Sequence, residues 1–229
     1  MDVERFAVEL PALFDEFPDS PHPRGRRFDD IVEAVPNLAC ENNLALVNLA
    51  ASLLEDGESY VELGTYYGAS LIAAMRGNEG RDFVAIDNFS MGPVSVRSRS
   101  NPPVSRAALE ANLRRFGAEG ATILEGDALE LLEQGALKGR RVGVFYYDAA
   151  HSYEAHIRAL QLVEPYLSDR ALLIVDDSDW EQVGRAMRDY LVSRPRARLL
   201  LEIAGSNGSQ PQWWEGMQVL AWGNSRFPP

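Results

Sequence analysis

The chain has 229 residues, 46% of them apolar, which suits one large α/β domain with a sizeable core and excludes a disordered tail. With 22 basic against 34 acidic residues the net charge is −12, a field that repels phosphate backbones and disfavours nucleic acid or an anionic membrane as partner. The single cysteine, Cys40, excludes an intramolecular disulfide and a four-cysteine zinc site.

The opening MDVERFAVEL has no basic n-region, and no window reaches the roughly 18 apolar residues of a membrane span, so a cytoplasmic location is the expectation. Val3, Phe6, Leu10, Leu13 and Phe14 recur at near-helical spacing and predict an amphipathic helix within residues 1–17. Pro18–Arg27, rich in proline and charge, reads as an exposed loop, with His22 a solvated residue in it. Phe28–Val35 reads as a helical turn or two, and residues 41–55 as a stronger helix with Leu44, Val47, Leu49 and Leu53 inward. Residues 1–57 are thus expected to form an N-terminal helical cap, and residues 58–229 the main domain.

The stretch YVELGTYYGAS, Tyr60–Ser70, organises the rest of the chain. An apolar strand runs into Glu62-Leu63-Gly64, turns through Thr65-Tyr66-Tyr67-Gly68 and continues as the helix ASLIAAM. Glycine supplies the backbone angles of so sharp a turn and lets a ligand approach the main chain. Strands and helices then alternate. Asp82–Asp87 is a strand, residues 88–104 a long loop, Ser105–Phe116 a helix and Ala121–Glu125 a strand. Gly126-Asp127 opens the helix ALELLEQ, the apolar run Arg141–Asp148 is a central strand, and Ser152–Leu167 is a helix. Arg170–Asp176 is another strand, a helix covers Trp180–Ser193, and Arg198–Ala204 and Met217–Trp222 close the chain as an antiparallel hairpin. The pattern predicts a doubly wound, Rossmann-like α/β fold of seven strands, mostly parallel.

Five strands or strand-to-helix turns end in an acid: Glu62, Asp87, Asp127, Asp148 and the pair Asp176-Asp177. In a parallel sheet such positions lie along one edge, where open α/β sheets bind ligands, and core strands rarely finish in carboxylates without a partner. An adenosine group would use them, Asp87 at ribose hydroxyls and Asp127 at an exocyclic amine.

The order of elements, with Glu62-Leu63-Gly64, Gly68, Asp87 and Gly126-Asp127-Ala128, resembles a class I S-adenosylmethionine-dependent methyltransferase from about Tyr60 onward. The resemblance implies that Glu62 and Gly64 line the methionine part of the cofactor, Asp87 holds the ribose and Asp127 faces the adenine, with Thr65, Tyr66, Gly68, Ser70, Ala128 and Asp148 as further cofactor contacts. Thr65 and Tyr66 stand where the family often has another glycine.

YYDAAHSYEAH with LLIVDDSDW is similar to the branch of macrocin-type and other antibiotic-sugar O-methyltransferases. That resemblance implies a Mg²⁺ ion on Asp148, Asp176 and Asp177, acting on a sugar or natural-product hydroxyl. Ala149 and Ala150 replace the Gly-Asp of the branch pattern, so its second acid is missing, and His151 is the remaining base, with Asp148 beside it as a second catalytic candidate. The alternatives are that the Asp-Asp pair and His151 cap the next helices, giving a metal-independent N- or C-methyltransferase or a non-catalytic adenosine-binding protein. His156, one turn beyond His151, reads as facing solvent or packing.

Two regions are candidates for acceptor recognition. The loop 88–104 carries Arg97 and Arg99, with Arg106 beyond, a basic cluster suited to an acceptor carboxylate or phosphate or simply solvated. The loop Gln210–Glu215 carries Trp213 and Trp214, suited to stacking on a ring or to burial at a contact between subunits. The expected partner is a small-molecule acceptor, and a homodimer through the N-terminal cap is the other expectation.

Overall fold

The computed structural model describes residues 1–92, 101–206 and 212–223. Seven strands form one sheet in the order β3-β2-β1-β4-β5-β7-β6. They are β1 (Ser59–Leu63), β2 (Asp82–Asp87), β3 (Thr122–Glu125), β4 (Val142–Tyr147), β5 (Leu167–Asp176), β6 (Ala197–Ile203) and β7 (Met217–Gly223). The first five pair in parallel, and β7 runs antiparallel to both β5 and β6. The closing pair is therefore a hairpin as expected, with its second strand inserted between β5 and the edge.

Strand residues alternate between two cores, as the period of two requires. Tyr60, Phe83, Tyr146, Leu172 and Ile174 face one side with the helices α1 (Val3–Ala12), α3 (Glu41–Ser52), α4 (Ala69–Met75) and α5 (Arg106–Arg115). Val61, Val84, Phe145, Leu173 and Val175 face the other with α7 (Tyr153–Val163) and α8 (Glu181–Ser193), while α6 (Ala128–Glu133) contributes Leu132 there. Between the first and third helices lies the short α2 (Asp29–Ala34). The helix α3 is buried on nearly all sides, including Asn42, Asn43 and Asn48, a wider burial than its four leucine and valine positions imply. The predicted helix to Leu167 stops at Val163, because Pro165 takes over in a short 3-10 turn, Glu164–Tyr166, and β5 begins at Leu167.

The register aligns Leu63 with Ile86 and with Tyr147, and Tyr147 with Val175. The next residue on each strand therefore stands in one row at the carboxyl edge: Gly64, Asp87, Asp148 and Asp176. Glu62 lies one step inside that row, opposite Ala85 and Tyr146. The ladder persists into the loops, since Asp148 N–H donates to Leu63 O at 2.9 Å and Gly64 N–H to Ile86 O at 2.9 Å.

Gly64 has φ +83°, and a Cβ there would meet the Asp148 carbonyl oxygen at 1.7 Å. Both the backbone angle and the contact exclude a side chain. Gly64→Ala is expected to destabilise the fold by at least about 2 kcal/mol, the range of backbone strain at such a position plus the displaced strand end. Urea unfolding checks this, and an unchanged midpoint would contradict it.

Candidate active site

A cavity of about 360 Å³ opens at the carboxyl edge, within the range of small-molecule sites. Gly64, Thr65 and Tyr66 from the first loop, Asp87 from β2, Asp127 and Ala128 at the start of α6, and Asp148 to His151 after β4 all line it. Asp176 and Asp177 stand at the same edge, and Ser70 faces it from α4. The far wall comes from Pro36 to Ala39, Met91 and Trp214. Thus the strand-end residues singled out by sequence converge, with two exceptions. Glu62 and Gly68 do not line the cavity.

Glu62 is fully buried behind Ser70, because its place inside the edge row turns it into the sheet core. Its carboxyl accepts from Tyr60 Oη at 2.9 Å and Ser70 Oγ at 2.9 Å. Burial pushes its pKa up to about 7. Gly68 is the left-handed residue before α4, with φ +91°, and serves the turn rather than the cavity surface.

Asp87 organises the loops around it. Its Oδ2 accepts the N–H groups of Thr65 at 2.8 Å and Tyr66 at 2.7 Å, and its Oδ1 that of Phe89 at 2.6 Å. Charge-assisted bonds of this kind fix the acid and leave it lone pairs for a ligand hydroxyl. Asp127 caps α6 by accepting from Glu130 N–H at 3.0 Å. That role belongs to the helix start, while the residue still borders the cavity.

The acids after β4 and β5 crowd together. Burial, then Asp176 and Asp177, hold the Asp148 carboxyl well above its usual range. Burial and Asp177 push Asp176 up to about 7, and burial with Glu215 pushes Asp177 up to about 6. Neutral donors serve Asp176: Tyr146 Oη at 2.5 Å, Asn43 Nδ2 at 3.4 Å and the N–H of Asp177 at 3.0 Å. Tyr146 Oη also lies 3.4 Å from Asp148. Asn43 escaped detection by sequence, since nothing in an internal helical asparagine signals a contact 133 residues away.

His151 Nδ1 stands 3.3 Å from Asp177 Oδ2, and its ring lies 5.0 Å from that of Trp180. Burial lowers its pKa, which favours the neutral imidazole. His156 does not reach the cavity. It packs against Tyr147, with Nδ1 donating to the Ser152 carbonyl at 3.0 Å. The tryptophans divide: Trp213 is a buried pin, donating to Pro18 O at 2.8 Å, while Trp214 forms cavity wall. Cys40 Sγ ties that wall to the N-terminal segment through Gln212 O at 2.8 Å. Arg97 and Arg99 lie outside the described residues, and Arg106 is exposed and paired with Glu110 at 2.8 Å.

The donor set suits a hard cation, but its arrangement does not. Asp176 is engaged by three protein donors, Asp177 stands against His151, and Ala150 brings no acid. Among the described residues no three His, Cys, Asp or Glu side chains are grouped so as to hold a metal ion.

A sequence profile described as a methyltransferase domain matches residues 61–178. The chain belongs to this methyltransferase-domain family. Its fold is that of the class I S-adenosylmethionine-dependent methyltransferases, and solved structures share it. A cofactor-bound Rv0187 from MTB is 20% identical, with 84% of this chain and 86% of that chain covered and a TM-score of 0.60. The O-methyltransferase TomG from Streptomyces achromogenes, in complex with SAM, is 19% identical over 98% and 100% of the two chains, with a TM-score of 0.59. CalS11, a TDP-rhamnose 3'-O-methyltransferase, is 19% identical over 96% and 94%, with a TM-score of 0.56. A search of curated proteins finds no match. No helix among the described residues is long and apolar enough to cross a membrane.

Burial holds His156 neutral, with its pKa lowered from 6.5 to about 4. Between those values the unfolded chain binds a proton that the folded chain does not, so this residue costs stability as pH falls through the window. His156→Leu is expected to flatten the fall in stability between pH 6.5 and 4. Urea unfolding across that range checks it, and parallel wild-type and variant curves would contradict it.

Proposed function

We propose that the protein is an S-adenosylmethionine-dependent O-methyltransferase acting on a hydroxyl of a small molecule, a sugar or natural product. The observation that supports it most is one cavity joining Gly64, Asp87 and Asp127 to His151 and an apolar wall of Leu38, Ala39 and Trp214. The cofactor fits this cradle. The bare Gly64 backbone admits close approach, and Asp87, already held by three N–H groups, has acceptor capacity for ribose hydroxyls. The SAM named in complex with TomG supports the same donor.

S-adenosylmethionine supplies an electrophilic methyl group, and the electrons of the broken S–CH₃ bond stay on sulfur. The chain holds the acceptor hydroxyl in line with that methyl and excludes water by its apolar wall. His151 Nε2 takes the hydroxyl proton as the oxygen forms its new bond to carbon. Magnesium, expected from the resemblance to sugar O-methyltransferases, has oxygen donors here, but among the described residues no three of them are grouped so as to hold an ion, so no step runs through it. Base catalysis by His151 stands in its place.

Asp87→Ala is expected to weaken S-adenosylmethionine binding by about tenfold to a hundredfold, the worth of a charge-assisted hydrogen bond and the loop order that depends on it. Calorimetric titration measures this. No binding to the wild-type protein would overturn the cofactor assignment, and equal binding by the variant would overturn the role of Asp87.

A further inference from the structure

We infer that Trp214 is the specificity-determining residue for the acceptor, and that the acceptor lays an uncharged aromatic ring against it. The hydroxyl methylated is then of the phenol type, on a molecule that carries no nucleotide. This rests on the methyl-transfer reading for calling the ligand an acceptor, whereas the ring preference is a property of the cavity wall itself.

The strand order divides the cavity. Gly64 after β1, Asp87 on β2 and Asp127 after β3 lie on one side of β4, and these are the groups that suit the cofactor. Trp214 lies just before β7, whose Met217 pairs with Asp176 of β5 on the other side. Four strand spacings separate β2 from β7, about 19 Å at about 4.8 Å each. A cofactor cradled at β1, β2 and β3 therefore leaves the β5–β7 end to the second substrate.

The wall at that end is chemically plain. Pro36, Leu38 and Ala39 line the cavity together with Trp214. Asn37, the polar residue of the same segment, is already engaged. Its Nδ2 donates to Val32 O at 3.1 Å and Val35 O at 2.6 Å, and its Oδ1 accepts from Ala39 N–H at 3.2 Å. A sugar laid against this wall would bury hydroxyl groups without partners, a cost that an aromatic ring does not incur. A planar ring matches the indole instead, by offset or edge-to-face contact.

Charge selects in the same direction. Asp148, Asp176 and Asp177 line the cavity at this end, and Glu215, next to Trp214, is the acid that after burial raises Asp177. A phosphate or carboxylate on the acceptor would meet these acids at close range, where like charges repel.

The indole is set in place before any ligand arrives. On one side of it Trp213 is buried, its Nε1 donating to Pro18 O at 2.8 Å and its ring packed on Phe14 and Phe17. On the other side Glu215 has φ +52°, and its carbonyl accepts from Asp179 N–H at 3.0 Å. Asp179 Oδ2 also accepts from Gly205 N–H at 2.7 Å, which closes the loop on itself. Cys40, directly after the 36–39 segment, donates from Sγ to Gln212 O at 2.8 Å and so joins both pieces of the wall. Trp214 itself is left half-buried, with its ring at the cavity. A surface fixed in advance loses little freedom when a ring stacks on it, so the contact goes into affinity and selection.

The test is calorimetric titration of the full chain, first with S-adenosylhomocysteine and then, once loaded, with four probes. These are 2-naphthol, 2-naphthyl phosphate, methyl glucoside and UDP-glucose. 2-Naphthol is expected to bind at least about tenfold more tightly than each of the others. Trp214→Ala is expected to weaken 2-naphthol about tenfold, and Trp214→Phe by no more than about threefold, with S-adenosylhomocysteine affinity within about twofold in both. Leu38→Ser, on the adjoining segment, is expected to weaken 2-naphthol by about threefold to tenfold, and it keeps the wall under test if Trp214→Ala does not fold. Any other probe binding as tightly as 2-naphthol, no binding of 2-naphthol, or unchanged 2-naphthol affinity in folded Trp214→Ala or in Leu38→Ser would each overturn the inference. If S-adenosylhomocysteine fails to bind while the unloaded protein still prefers 2-naphthol, the ring site stands and the proposed function falls. If it binds and the preference is reversed, only the ring site falls.

Discussion

The site depends on how closely the ends of β1 and β4 approach. The Asp148 carbonyl sits where any side chain at position 64 would be, at 1.7 Å from an ideal Cβ, so the first loop and the acid-bearing fourth strand can meet only at a glycine. The lining of the cavity is a consequence of that approach. The first loop is brought over Asp87, whose carboxylate gathers three of the nearby N–H groups, and Asp148 is brought beside Asp176. A side chain at position 64 would push apart the first loop and the end of β4, the two sides of the cavity.

The same geometry concentrates acids in a place poor in counter-charge. Burial first, and then repulsion from neighbouring acids, raises Asp148, Asp176, Asp177 and Glu62, and the fold answers with neutral donors: Tyr60, Tyr146, Ser70 and Asn43. Hydrogen bonds of this sort keep a buried carboxyl tolerable without an ion pair. They also occupy lone pairs that a metal would need.

Much of this was legible in the sequence. Short apolar runs alternating with helical stretches marked seven strands in the right places, and acids at strand ends marked the edge where the cavity lies. The depth of Glu62 was not legible, because motif position does not reveal register: it lies one residue short of the edge row, buried behind Ser70. Asn43, Tyr146 and the wall of Leu38 and Ala39 were invisible, since their roles arise from contacts between segments far apart in sequence. Trp213 and Trp214 could not be told apart by composition; only the packing of Phe14 and Phe17 against the first shows which is the pin.

The central claim is methyl transfer to oxygen by a histidine base without a metal. Transfer of labelled methyl from S-adenosylmethionine to a panel of sugars and phenolic natural products, run with a chelator present, tests it most directly. The account predicts an O-methylated product that forms in the chelator and is lost in His151→Gln. Transfer that stops in chelator and returns with Mg²⁺, or that proceeds unchanged without His151, would contradict it.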